Sequence, residues 1–340
     1  MGDLKLLKPI ALFEKLFETK VRLDDRGLLE HAPLYANVNV LASCYGSSFV
    51  RIGQTQVLCG VQVKVIPEQV NVGCIVCNVE IGGLANRTTR LGSGVPKEAQ
   101  SLSAKLQRVI DSVVCPNSAN QLHIYSDLER VRPVASYVLK LDVFVLHDDG
   151  KNLERVRPVA SYVLKLDVFV LHDDGCLLDA CLPAAMLSLS SARWPRLVAT
   201  TIDRRNSSCV EYYRKIVPDE LVSLKLSTFP IPATFLLLPL SVSKSGNRCS
   251  VVLQPTKREI SLWDADAGCL QLILTPTGRV VDLCMTHAFL SGLFSHLLPP
   301  VTQNAQTEAD VWKCIFDNAS KYVQAVKSVM DNALETAGTG

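Results

Sequence analysis

The sequence predicts an α+β fold made of two halves, each a β-sheet with helices laid against it. Three observations carry that expectation. Apolar and polar residues alternate along several segments, as strands with one buried face require. Other segments repeat their apolar residues every three to four positions, the spacing of a helix with one face in a core. Both kinds of segment recur on either side of a basic, polar stretch from Thr201 to Glu220. The expected divisions are an N-terminal helix and charged turn over 1–30, a first half over 31–200 and a second half over 220–340.

Composition narrows the function. The 340 residues are 48% hydrophobic and 20% charged, enough for a sizeable core and unlike a disordered chain. The net charge of +2 provides no overall basic field, so any nucleic-acid contact must come from a local patch. No apolar run reaches the roughly 18 residues of a membrane span, so no membrane role is expected. The first twenty residues are amphipathic and acid-bearing, without the apolar core or cleavage site of a signal peptide. Leu6 stands where a myristoylation motif wants Ser or Thr. Twelve cysteines in such a chain read as reduced thiols, and the sequons at Asn86, Asn206 and Asn318 as chance matches. The reading is a soluble intracellular protein.

Leu6, Ile10, Phe13 and Phe17 predict a helix over 4–19, followed by the charged turn RLDDRG from Arg22 to Gly27. Strands are expected at Ala36 to Ala42 and Ser47 to Val65, the latter a hairpin turning at Gly53-Gln54. On its second arm Val57, Cys59, Val61, Val63 and Val65 face one way, and Gln56, Gln62 and Lys64 the other. A strand from Asn71 to Ile81 leads into the loop GGLANRTTRLGSGVP, Gly82 to Pro96. Leu102, Leu106, Val109 and Val113 then mark a helix over 97–114. Leu177 to Ala192 is rich in small residues, suiting a helix close against a sheet, with Pro183 limiting where it can start.

The second half repeats the theme. Strands are expected near Leu224 to Leu226, Thr234 to Leu238, Cys249 to Leu253, Cys269 to Leu274 and Val280 to Cys284. A final helix carries the stripe Val311, Ile315, Ala319, Tyr322, Val326 and Val329, with Thr307 and Asp310 as a capping box.

One segment occurs twice. LERVRPVASYVLKLDVFVLHDDG runs from Leu128 to Gly150 and, without a difference, from Leu153 to Gly175. Two copies fall short of the three or so repeats that a solenoid needs. Two identical strands compete for one register, so one copy is expected to be superfluous. Tyr162 to Leu171 is expected to fill the sheet, leaving the first copy an insertion.

Few constellations carry chemistry. Cys74 and Cys77 form a CxxC, but residues three apart on a strand point to opposite faces, so core cysteines are expected. Asp142 and its copy Asp167 each follow a lysine by two positions, Lys140 and Lys165, and read as solvent-side ion pairs. Asp173 and Asp174 read as an Asp-Asp-Gly turn, with Asp179 close behind. His31, His123, His147, His172, His287 and His296 have no partner at ligand spacing, and neither a P-loop nor GxGxxG occurs. No catalytic residue, metal or cofactor is expected. The glycine-supported loop is different, because it presents Arg87, Arg90 and Lys97 with backbone amides free to approach a phosphate. Arg204, Arg205, Arg214 and Lys215 read as plain surface.

The order of segments resembles the RNase PH family, and within it the RNase PH-like ring subunits of the eukaryotic RNA exosome, in the branch of the silent partner subunit. RLDDRG is similar to the family's RPDGR-like turn, with Leu23 for Pro and Asp25 for Gly. RIGQTQVLCGV and DDGCLLDA match closely. The likeness holds well from about Leu6 to Ala192, and more loosely through PIPATF (Pro230 to Phe235) and QPTKRE.

The resemblance implies an RNase PH-like fold in which active members carry out phosphorolytic 3′→5′ exoribonucleolysis. A DGGTR-like turn holds the attacking phosphate in those members, and here the turn runs into Cys176, Leu177 and Leu178, none able to hold an anion. Where active members present paired acids, Gln254 to Glu259 leaves one acid and two bases. Positioning and electrostatic catalysis are then both missing. The implied role is a non-catalytic structural and RNA-channel subunit of a hexameric ring with RNA-binding cap subunits. Such a ring supports RNA processing and degradation, rRNA maturation and mRNA turnover in the nucleus, nucleolus and cytoplasm. Its partners are other RNase PH-like ring subunits, the cap subunits and single-stranded RNA. In this family the arginine-bearing loop faces RNA, which gives Arg87, Arg90 and Lys97 backbone contact without base readout. The alternative is a phosphorolytic exoribonuclease using other residues.

Overall fold

The computed structural model describes residues 19, 21–67, 75–82, 96–114, 122–124, 160–200, 213–239, 249–262, 268–285 and 308–338. The N-terminal helix, Cys74, Arg87, Arg90, Thr307 and the first copy of the duplicated segment lie outside the described residues.

The first half is a six-stranded mixed sheet. It contains β1 (Leu34–Val38), β2 (Gly46–Ile52), β3 (Thr55–Pro67), β4 (Ile75–Ile81), β5 (His123–Ile124) and β6 (Ala160–His172). Their order is β1-β2-β3-β6-β4, with β5 paired to the end of β6. Only β4 runs parallel to its neighbour. The hairpin turns at Gly53-Gln54, where Gly53 takes φ 58°. Alternation does the rest, because Val50, Ile52, Val57, Cys59 and Val61 are all buried on one face. The second copy of the duplicated segment supplies β6, the strand between β3 and β4. β1 is shorter than its apolar pattern suggests. Asn39 adopts left-handed φ 57° and closes the strand with an N–H bond to Ser47 O, 2.7 Å.

Two described helices pack in this half. α1 (Lys97–Val109) buries Ala99, Leu102, Leu106 and Val109, and continues into a π-helical turn, Ile110–Val114. α2 (Leu177–Ser191) is buried from Leu178 to Leu189, as a helix apolar on all sides must be. It packs against β2, β3 and β6 and also reaches the second half. Pro183 does not limit its start; the helix begins six residues earlier and encloses the proline. The ring removes one backbone donor, and burial against the sheets outweighs that cost of about 3 kcal/mol. Small residues permit the close approach. A Cβ on Gly46 would collide with Ser188 O, while Ser48 Oγ donates to Ala184 O at 2.7 Å.

A two-stranded ribbon, β7 (Trp194–Thr200) and β8 (Tyr213–Val222), leads onward. The polar connection ending at Glu220 is therefore strand from Tyr213 on, and it carries Arg214 and Lys215 into β8. Leu224 to Leu226 is not a strand, because β8 has ended. Leu224 is nonetheless buried, packed as a loop residue.

In the second half β9 (Ile231–Pro239), β10 (Cys249–Leu253), β11 (Gly268–Leu274) and β12 (Val280–Met285) form an antiparallel sheet, order β10-β9-β11-β12. Between them lies α3 (Lys257–Leu262), and α4 (Glu308–Gly338) closes the fold. α4 buries Val311, Ile315, Ala319, Tyr322, Val323, Val326 and Met330. Val329 is only half-buried, since the 3.6-residue period passes the core face to Met330. No described helix is long and apolar enough to cross a membrane.

Candidate functional site at the seam between the halves

Where the two halves meet, the turn after β6 lies against the segment after β10. Gly175 takes φ 102°, and a Cβ there would stand 2.7 Å from Lys257 N and 2.8 Å from Pro255 O. Glycine is required both for the angle and for the approach. Asp173 accepts from Gly175 N at 3.1 Å and pairs with Lys257 Nζ. Lys257 N donates to Asp174 O at 2.6 Å, and Cys176 Sγ to Pro255 O at 3.2 Å. Thr55 Oγ1 braces the turn, donating to Gly175 O at 2.9 Å and accepting from Asp174 N at 3.1 Å.

The acid of QPTKRE is fully engaged. Thr256 and Glu259 make a capping box for α3: Thr256 N donates to Glu259 Oε2 at 2.8 Å, and Glu259 N to Thr256 Oγ1 at 3.3 Å. Arg22 clamps the same carboxylate, Nε to Oε1 at 3.0 Å and Nη2 to Oε2 at 2.5 Å. The guanidinium also donates to Leu253 O and Gln254 O, at 2.9 and 3.0 Å. Both Arg22 and Glu259 are buried, at 1% and 2% exposure. Planar bidentate geometry, with each guanidinium nitrogen holding an acceptor, is what keeps such a pair tolerable in a core.

Gln254 ties the remaining elements together. Its backbone, at left-handed φ 49°, donates to Thr234 O at 2.8 Å. Its side chain accepts from Ala32 N at 2.8 Å and donates to Tyr322 OH at 2.7 Å. Asp179, on α2, receives Thr234 N at 3.1 Å and Thr234 Oγ1 at 2.7 Å. Burial pushes its carboxyl up to about 7, against the pull of these donors. Burial likewise raises the Cys176 thiol and the Tyr322 phenol well above their ordinary values. Most of these buried groups are paired with one another, while Arg26, whose Nη2 lies 3.5 Å from Gln254 O, leaves its Nη1 buried without a hydrogen-bond partner among the described residues.

The other candidates divide. Lys165 Nζ lies 3.0 Å from Asp167, the expected ion pair, although Asp167 is 8% exposed and also accepts from Asn78 Nδ2 at 3.3 Å. Cys77 is buried and its thiol is pushed upward by desolvation. Among the described residues no cluster of three or more His, Cys, Asp or Glu could hold a metal. Lys97 is exposed at the first position of α1, and Arg87 and Arg90 lie outside the described residues. Sequence reasoning missed Arg22, Thr234, Gln254 and Tyr322. The Thr256-x-x-Glu259 spacing was the one local signal available.

Comparison with known proteins places this arrangement. Residues 30–195 match the 3′ exoribonuclease family, domain 1. Exosome complex component Rrp42 of Pyrococcus furiosus is 33% identical over 140 residues, 40% of this chain and 47% of that protein. Its Pyrococcus abyssi counterpart is 32% identical over 135 residues, 38% of this chain and 45% of that one. The chain thus spans about half the length of these two relatives. With the Thermococcus kodakarensis protein of the same name the match is 28% over 289 residues, 82% of this chain and 85% of that one. A chain of the Archaeoglobus fulgidus exosome with RNA bound to the active site superposes with TM-score 0.56 at 18% identity, covering 94% of this chain and 98% of that one. That likeness establishes the RNase PH-like α+β fold.

Proposed function

We propose that the protein, whose residues 30–195 match the 3′ exoribonuclease family, domain 1, is a non-catalytic subunit of an RNA exosome core ring. It contributes to the wall of a channel through which single-stranded RNA passes during 3′-to-5′ processing and degradation, including rRNA maturation and mRNA turnover. Its partners on this reading are RNase PH-like ring subunits and RNA-binding caps, in the nucleus, nucleolus and cytoplasm.

One observation carries the proposal. Glu259, the acid of the segment where active members present a pair, spends both oxygens on Arg22 and the α3 cap. A carboxylate so held cannot also position a nucleophile or a metal. On the facing turn Cys176 gives its thiol to Pro255 O and Asp173 takes the ammonium of Lys257. The relatives' names, as components of an exosome complex, fit the same reading.

Arg87, Arg90 and Lys97 are proposed to meet the RNA backbone from the glycine-supported loop, as point charges without base readout. Purification from native extract tests the whole reading. Co-purification in a particle with RNase PH-like chains is expected; a chain that migrates alone and releases nucleoside diphosphates from RNA and phosphate would overturn it.

A further inference from the structure

Among the described residues β4 is the last strand of the six-stranded sheet, so one of its backbone edges faces away from β6. Its sequence, IVCNVEI, is of the kind that a second extended chain joins readily: apolar at five of seven positions, with one charge, no proline and no glycine. Ile75, Cys77, Val79 and Ile81 are buried on the inner face, while Val76 is exposed on the outer one.

Two side chains of α1 occupy that edge. Cys77 N donates to Gln107 Oε1 at 2.8 Å, and Gln107 Nε2 donates to Ile75 O at 2.5 Å. Ser103 Oγ, one turn earlier, donates to Cys77 O at 2.7 Å. In a parallel ladder, a residue of the neighbouring strand accepts from one N–H and donates to the carbonyl two residues before it. The Gln107 amide makes this same pair of bonds, so it stands where one peptide group of a further parallel strand would stand. Asp111, in the π-helical turn, accepts from Gln107 Nε2 at 2.8 Å. Both amide hydrogens and the amide carbonyl are thereby engaged, and a flipped amide would set donor against donor.

We propose that Gln107, seconded by Ser103 and oriented by Asp111, guards the β4 edge against strand addition, and that the chain it excludes is β4 of a second copy. Two such edges meeting about a two-fold axis would pair apolar, β-branched residues with their own kind, which is what makes self-pairing the hazard. The guard is separate from what holds α1 in place. Buried Ala99, Leu102, Leu106 and Val109 keep that helix on the sheet. Lys105 Nζ to Gln271 Oε1 at 2.7 Å and Arg108 to Asp282 at 2.6 Å fasten it to the second half. The guard acts on the single chain, so it stands whether or not the ring reading does.

Light scattering on the pure full chain tests it. Gln107→Leu with Ser103→Ala, keeping native circular dichroism, should raise the measured mass at least about twofold over the parent at equal micromolar concentration. Adding Val76→Lys should return the mass to the parent's, because a lysine on an edge strand opposes a second strand. Hydrogen exchange on the parent decides the matter if the double variant does not fold: the Cys77 amide should be as protected as that of Asn78, which faces β6. A folded double variant with the parent's mass, association that Val76→Lys leaves in place, or a Cys77 amide that exchanges as freely as an exposed one would overturn the inference.

Discussion

Arg22 and Glu259, 237 positions apart, meet in a buried bidentate ion pair that joins the charged turn of the first half to α3 of the second. It ties the two halves together and engages both carboxylate oxygens of Glu259.

The first prediction concerns that pair. Arg22→Met alone strands a buried carboxylate and should cost about 3–5 kcal/mol of unfolding free energy. Arg22→Met with Glu259→Met should recover much of the loss, because desolvating two ions consumes most of their attraction. Urea denaturation of both variants measures it; a single variant as stable as the parent would contradict the seam as described.

Gly175 gives a second. Gly175→Ala must adopt φ 102° and push its Cβ against Lys257 N and Pro255 O. A loss of about 1–3 kcal/mol is expected from the backbone angle, with the collision adding to it. Gly278→Ala, at φ 83° with nothing within 4 Å of the added carbon, isolates the angle and should cost less.

Asp179 makes stability depend on pH. Its ordinary pKa is 3.8, and in the fold it ionises near about 7. Between those values the folded chain keeps a proton that the unfolded chain has released. The stability from this group is full below about pH 4 and is lost as pH rises through about 7, on the order of a few kcal/mol. Asp179→Asn should therefore lose less stability than the parent between pH 5 and pH 8 in urea titrations. A steeper fall in the variant would reverse the assignment.

Much of the fold was legible because the signals are local. The hairpin at Gly53-Gln54 shows in two alternating arms, and β6 in a long alternating run closed by Asp-Asp-Gly. α2 misled because its apolar residues surround it, leaving Pro183 as the only punctuation; the two sheets, invisible in its own sequence, override the proline. Leu224 to Leu226 alternates for only three residues, too short to separate a strand from a packed loop. The seam was the least legible. Arg22, Gln254 and Glu259 acquire their roles only when segments more than two hundred residues apart close on each other. Asp179, close behind an Asp-Asp-Gly turn in sequence, acquires its role from Thr234 across the seam.

The loop arginines give a fourth prediction. Arg87→Glu with Arg90→Glu should weaken RNA protection by the reconstituted ring and reduce its salt dependence, leaving assembly intact. Unchanged protection would remove that loop from the RNA path.

The central claim, that this chain carries the fold of a phosphorolytic ribonuclease without its chemistry, is tested most directly by incubating the pure protein with single-stranded RNA and inorganic phosphate and measuring nucleoside diphosphates. No phosphate-dependent release above buffer is predicted. Release that scales with the protein and with phosphate would contradict it.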